Sequence, residues 1–289
     1  MAFSLLTVLI ALGLLHVWPQ LVRRAGDRTF RRWVRQLADT SGAGRVVLVL
    51  LGPVAACLLL RWLLGYLPPG ELWQALFALV VLLYSLGPHA FEADLEAILR
   101  APDDVHREAA AQALTSEGET VRWDAAALGE AVAYAALRRR FGVLFWFFLL
   151  GPVGALAYRL AQTLGHDRSI DMDDASATSA TCLANALDWL PAQLLTLTLA
   201  VVGHWEAVIG AWRRWHQQAV AQAWYSVGPA FLAAAARAEA HSDIEGGDGY
   251  VEERTDPLTE VERLRRALLR ALLAWLSAVA LVVIGGWVA

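Results

Sequence analysis

Arg159 and Asp188 are the side chains through which this sequence could do chemistry. Arg159 closes the stretch "FGVLFWFFLLGPVGALAYRL", Phe141 to Leu160, which carries no other charge. An ionised Arg at mid-bilayer costs at least about 2.5 kcal/mol, so it reaches the interface or finds an anionic partner. Asp188, at the start of the next apolar run, is one such partner; a ligand carboxylate or phosphate is another. The same stretch contains Gly151, Pro152 and Gly154. Proline removes an intrahelical hydrogen bond, and in lipid the freed carbonyl needs a new donor. Such a break is either a packing kink between close helices or the lining of a ligand cavity. Gly-Pro recurs at Gly52-Pro53, Gly87-Pro88 and Gly228-Pro229. The first of these shares its context: "LLGPVAACLLLR" ends at Arg61 as "LLGPVGALAYR" ends at Arg159.

Other chemistries find no footing. The sequence has no phosphate loop, no nucleophile elbow and no His-Glu-x-x-His zinc helix. Its seven His are scattered without ligand spacing, so metal catalysis is not expected, and no cofactor motif is present. Cys57 and Cys182 make neither a disulfide framework nor a metal cluster. A net charge of −4 gives no nucleic-acid footprint.

These residues need elements to hold them, and composition says those elements sit in lipid. Hydrophobic residues make up 57% and charged residues only 18%, where soluble domains carry about a quarter charged. Mean hydropathy is +0.45. A spanning helix needs about 20 mostly apolar residues. Six runs approach that: Met1 to Leu21, Val46 to Leu67, Leu72 to Pro88, Phe141 to Tyr158, Trp189 to Trp205 and Ala271 to Ala289. The first has its arginines behind it and no small-residue cleavage site, so it reads as a retained span. The fifth holds Pro191, Thr196 and Thr198 and could be re-entrant or a long buried helix. The expectation is an all-α, polytopic helical membrane protein of four to six spans, one integral-membrane domain over residues 1–289. Trp18, Trp62, Trp73, Trp189, Trp205 and Trp287 flank the runs as interfacial anchors.

All 24 basic residues are Arg. They cluster before run two, between runs three and four, and after run five, while the connection from four to five is acidic. By the positive-inside rule both termini lie outside and residues 89–140 and 211–265 form cytoplasmic helical segments. Phe91, Leu95, Ile98 and Leu99 share a helical face, Pro102 ends it, and Asp103 or Asp104 can cap the next helix. "RWDAAALGEAVAYAALRRR" reads as a second amphipathic helix on or just below the membrane. Its Arg138 to Arg140 serve as a topogenic anchor or a site for an anionic ligand or lipid headgroup. "HSDIEGGDGYVEERTDP", His241 to Pro257, reads as a mobile loop, without the carboxylate ladder of a calcium site.

The opening stretch, "NALDWLPAQL" (Asn185 to Leu194) and "VVGHWEAVIGAW" (Val201 to Trp212) resemble the AmpE family over nearly the whole chain. AmpE in turn resembles the CobD/CbiB family of cobalamin-pathway membrane enzymes, which join a corrinoid carboxylate to an aminoalcohol or its phosphate. Through that resemblance Glu130, in "GEAVAYAAL", matches the first Glu of the family's Glu-Ser-x-Ala-Glu-Asn helix; the later Glu-Asn is Ala133-Tyr134 here. Gly154, Ala155, Tyr158, Arg159 and Thr163 match the Gly-Ala-x-x-Tyr-Arg-x-x-Asn-Thr segment, with Gln162 in place of Asn. Pro191 is kept from Asn-Tyr-Ile-Pro-Ala-Arg-Leu, with Gln193 in place of Arg. The ligand-binding candidates are thus Glu130, Gly151, Pro152, Gly154, Tyr158, Arg159, Asp188 and Pro191.

The AmpE resemblance implies a bacterial inner-membrane, multi-pass regulator linked to cell-wall recycling and beta-lactamase induction, binding muropeptides or recruiting an AmpD-type amidase. The CobD resemblance implies instead an amide-forming enzyme in which Glu130, Arg159 and Asp188 are the surviving site. Broken spans also fit a small-molecule transporter, for which six spans are few unless the chain forms a homo-oligomer. The lipid bilayer is the one partner common to all three.

Overall fold

The computed structural model describes residues 2–18, 28–37, 40–87, 91–115, 120–218, 225–226, 228–245 and 256–286. These are helical, with no strand among the described residues. The helices are α1 (Ala2–Val17), α2 (Arg28–Gln36), α3 (Gly42–Leu64), α4 (Gly70–Ser85), α5 (Phe91–Arg100), α6 (Asp104–Ala111), α7 (Ala125–Ala136), α8 (Gly142–Leu150), α9 (Pro152–His166), α10 (Asp174–Val202), α11 (Trp205–Gln218), α12 (Ala230–Glu245) and α13 (Pro257–Ile284). A widened helical turn, Leu137–Phe141, joins α7 to α8. The chain divides into two units, one of Met1–Ala90, Gly142–Leu187 and Ala280–Ala289, the other of Phe91–Phe141 and Asp188–Val279.

By length and composition α3, α10 and α13 can cross a membrane, while α1 and α4 are shorter apolar helices. Val47, Leu48, Leu51, Leu58, Leu59 and Leu63 of α3 are all exposed. An apolar face of that size has a natural solvent in hydrocarbon. Trp18, Trp62, Trp73, Trp189 and Trp205 are exposed as expected of anchors; Trp287 lies outside the described residues. The fifth run proves to be the second half of α10, a 29-residue helix. In its polar first half the hydroxyls bond to carbonyls. Thr181 Oγ1 donates to Ala177 O and to Gly165 O at 3.0 Å each, and Ser179 Oγ to Ala175 O at 2.8 Å.

In the first unit, α2, α3 and α9 meet over Phe30, Val34, Val46, Val49, Leu160 and Leu164. Pro53 lies inside α3 without ending it. Its missing N–H would have served Val49 O, and Trp33 Nε1 donates to that carbonyl at 3.0 Å. Trp33 can lie there because residue 52 is Gly: a Cβ would stand 2.6 Å from the indole. Pro191, inside α10, frees Leu187 O in the same way, and Trp146 Nε1 donates to it at 3.2 Å. The sequence expectation that lipid-embedded prolines need substitute donors is met twice, by an indole each time.

The fourth run is not one span. Gly151 adopts φ +70°, a left-handed backbone that favours glycine, and Pro152 starts α9. The chain reverses there. Side chains added to Gly142 or Gly154 would overlap Tyr158 or the Trp146 carbonyl respectively, which makes α8 and α9 a close antiparallel hairpin. The uncharged arm α8 has nine residues, about 14 Å at 1.5 Å each, half the hydrocarbon thickness. This corrects the charge-bias topology at one point. The acidic connection after run four was expected on the face opposite the Arg23 to Arg45 segment. Instead Arg31 pairs with Asp167 at 2.8 Å and Arg45 with Asp173 at 3.3 Å. The expected separation of these two segments is not met, and the run is two short antiparallel helices.

In the second unit the face Phe91, Leu95 and Ile98 of α5 is buried as its spacing predicts. Asp103 caps α6, accepting from His106 N at 2.9 Å. Asp124 caps α7, accepting from Ala127 N at 2.8 Å. α7 differs from the expected surface helix: Leu128, Gly129, Ala131, Val132, Ala133, Ala135 and Ala136 are all buried. Alanine on nearly every side lets neighbours approach all round, and α12, with alanines at 233–236, packs against it. Of the predicted loop His241 to Pro257, the first residues continue α12 to Glu245, and 246–255 lie outside the described residues.

Candidate functional site

The predicted site residues fall in two places. Gly151, Pro152, Gly154, Tyr158 and Arg159 belong to the hairpin of the first unit; Glu130, Asp188 and Pro191 belong to the second unit. In the hairpin, Gly151 and Pro152 make the reversal, and Gly154 permits the close approach of the two arms. Tyr158 is buried, its ring filling the space that Gly142 leaves open. Arg159, Gln162, Thr163 and His166 follow at helical spacing as a polar stripe on α9, and Gln162 and Thr163 are buried. Gln162 Nε2 donates to Ala184 O at 3.1 Å and Thr163 Oγ1 to Arg159 O at 3.0 Å. The Arg159 guanidinium lies over Gly87, with Nη1 3.5 Å from where a Cβ would stand. Arg61 lies over Gly151 in the same fashion, Nη1 at 3.4 Å. Each arginine of the paired motif therefore covers a positive-φ glycine that precedes a proline. Next to this hairpin Asp173 is held well down, to about 2, first by the Ser176 hydroxyl and then also by Arg45.

Asp188 lies at the start of the second unit's share of α10. It is wholly buried and its ion pair is with Arg138, Nε to Oδ2 at 3.4 Å. The widened turn after α7 fans three successive arginines to three acids. Arg139 meets Asp94 at 2.7 Å and Arg140 meets Glu92 at 2.6 Å. The expected headgroup anchor at Arg138 to Arg140 is thus an internal ionic clamp. An inserted residue rotates each following side chain, and such turns gather at functional sites. Glu130 and Tyr134 of α7 and Arg138 of the turn that follows it stand four residues apart in sequence. Glu130 is exposed, and the Arg138 guanidinium stacks over the Tyr134 ring at 5.1 Å. Burial, then the Glu130 carboxylate, push the Tyr134 phenol up to about 12, with Asp188 adding to the same direction. Glu130→Gln should therefore lower the ionisation midpoint of Tyr134, read by ultraviolet absorbance titration against the parent protein. An unmoved midpoint would separate the two side chains.

Two sequence motifs prove to hold each other: Trp212 Nε1 donates to Gln193 Oε1 at 3.0 Å. Gln193, where the CobD pattern has Arg, serves "NALDWLPAQL" as acceptor for "VVGHWEAVIGAW". The chain is similar to cobalamin biosynthesis proteins. It is 32% identical over 208 residues to the cobalamin biosynthesis protein CobD of Chromobacterium violaceum, covering 67% of this chain and 62% of that protein. It is 30% identical over 166 residues to the CobD of Stutzerimonas stutzeri, covering 54% and 53%. The chain thus spans between half and two thirds of the length of these relatives. No family model matches it, and no solved structure does.

Sequence reasoning missed the charges inside the alanine-rich α12. Glu239 is buried; it accepts from His204 N at 2.7 Å at the start of α11 and meets Arg270 at 3.0 Å. A Cβ on Gly203 would overlap its carboxylate. Glu260 is wholly buried, with both oxygens lacking hydrogen bonds and His241 Nε2 at 3.5 Å. Arg237 passes Gly129 of α7, its Cγ 3.5 Å from where a Cβ would stand. The available signal was their isolation: Arg237 and Glu239 are the sole charges between Ala230 and Ala240, and isolated charges in such a surround serve a partner. No group of three metal-ligating side chains occurs among the described residues.

Proposed function

We propose that this chain is a membrane protein of CobD/CbiB type that binds a carboxylate ligand and forms an amide on it. The similarity to two cobalamin biosynthesis proteins carries this reading. It favours the enzyme over the AmpE-like regulator of beta-lactamase induction, for which no comparable support exists. The polar stripe of α9 agrees with it, because ionisable side chains among apolar helices are functional by default. Glu130, exposed on α7, takes the proton that an attacking amine must lose. Nitrogen then bonds to the carboxyl carbon, and the carboxyl oxygen leaves as phosphate after activation by a nucleoside triphosphate.

The test is turnover by the purified protein, with a corrinoid carboxylic acid, an aminoalcohol or its phosphate, and ATP. Amide product should appear by mass spectrometry and fall at least about 100-fold in Glu130→Gln. Absence of product, together with altered beta-lactamase induction in a deletion strain that Glu130→Gln still complements, would replace this reading by the regulator.

A further inference from the structure

Arg138, Arg139, Arg140, Arg265 and Arg270 of the second unit each meet a protein carboxylate. Arg214 and Arg237 form no ion pair among the described residues. Both line one cavity of about 460 Å³ between α11 and α12, with Trp215, Gln218 and His241 and three alanines. That volume suits a small ligand or the head of a larger one. Among the described residues no carboxylate lines it, and His241 is already turned to Glu260. The remaining cations are the two guanidiniums, whose forked donors match phosphate oxygens.

The cavity's setting selects the phosphate. α11 starts only two residues, Gly203 and His204, after the membrane-spanning candidate α10 ends. It carries Trp205, Trp212 and Trp215 beside Arg213 and Arg214, the residue types that occupy the headgroup level of a bilayer. Ala211, Ala234 and Ala238 give the cavity an apolar flank next to its charge. Basic pockets beside spanning helices take anionic lipid headgroups. We propose that the α11–α12 cavity binds the phosphodiester headgroup of an anionic phospholipid. Arg214 and Arg237 hold the phosphate, Gln218 meets the headgroup's hydroxyls, and Trp215 packs on its glycerol. This binding is separate from the amide-forming reading and is measured without turnover.

Native mass spectrometry of the full-length protein in neutral detergent tests it, with dioleoylphosphatidylglycerol or dioleoylphosphatidylcholine added. The phosphatidylglycerol adduct should be favoured at least about tenfold. Each arginine is worth about fivefold, so Arg214→Gln should weaken the adduct about fivefold and Arg214→Gln with Arg237→Gln about 25-fold. Arg213→Gln, an exposed neighbour that does not line the cavity, should leave it within about twofold. Arg214 is exposed, so the single variant remains informative if the double variant does not fold. Equal retention of the two lipids, or an Arg214→Gln adduct as strong as the parent's, overturns the proposal. Displacement by millimolar inorganic phosphate without any lipid preference also overturns it, assigning the cavity to a soluble anion.

Discussion

Arg138→Ala is expected to lower the melting temperature of the detergent-solubilised protein by about 10 °C. Asp188 is wholly buried, and Arg138 is its ion-pair partner at 3.4 Å. Deleting one side of a buried pair removes compensation from a charge held out of water, which costs about 3–5 kcal/mol. The pair itself need not stabilise the fold by that amount, because both charges were desolvated to make it. The diagnostic is therefore the double variant. Asp188→Asn in the Arg138→Ala background removes the stranded charge and should restore most of the loss. Arg139→Ala should cost less, because its partner Asp94 keeps some contact with water, at 11% side-chain exposure. Thermal unfolding followed by circular dichroism reads all four proteins. A double variant no more stable than Arg138→Ala would place the role of Arg138 in packing over Tyr134 instead.

That pair also marks how far the sequence could be read. Local grammar was legible: Asp103 caps a helix after Pro102, the α5 face is periodic, and Gly151-Pro152 breaks the fourth run. These depend on residues three or four apart. Arg138 and Asp188 stand fifty positions apart, and nothing in either neighbourhood names the other. The sequence offered Asp188 to Arg159 because the two flank adjacent apolar runs, and gave no sign of Arg138. The topology failed for a related reason. Charge bias counts crossings, and it treats an apolar run of eighteen residues as one; the reversal at Gly151 divides that run into two antiparallel helices. On α9, Arg159 stood out as the lone charge of an apolar run and Gln162 and Thr163 through resemblance, while Arg237 and Glu239 of α12 stayed hidden. An alanine-rich helix has no apolar period to say which face is inside, so its charges read as solvated.

Where the sequence made a physical demand without naming the answer, the structure supplies a second large effect. Pro191 leaves Leu187 O without its helical donor, and Trp146 Nε1 takes the place at 3.2 Å. Trp146→Phe keeps the ring and removes the N–H. An unsatisfied carbonyl costs about 1–3 kcal/mol in protein interiors and more in lipid, so this variant should melt several degrees lower. Packing loss alone would give the same sign, and the proline separates the two causes. Pro191→Ala restores a backbone N–H to serve Leu187 O, so Trp146→Phe should be nearly neutral in that background. The expected interaction energy between the two substitutions is at least about 1 kcal/mol, within the range for residues sharing one hydrogen-bond network. The same cycle applies to Trp33→Phe and Pro53→Ala, where the donor distance to Val49 O is 3.0 Å. Coupling at both places would show that the indoles are retained to complete interrupted helices. Additive losses at both would assign the tryptophans to packing, and the prolines would then need another compensation.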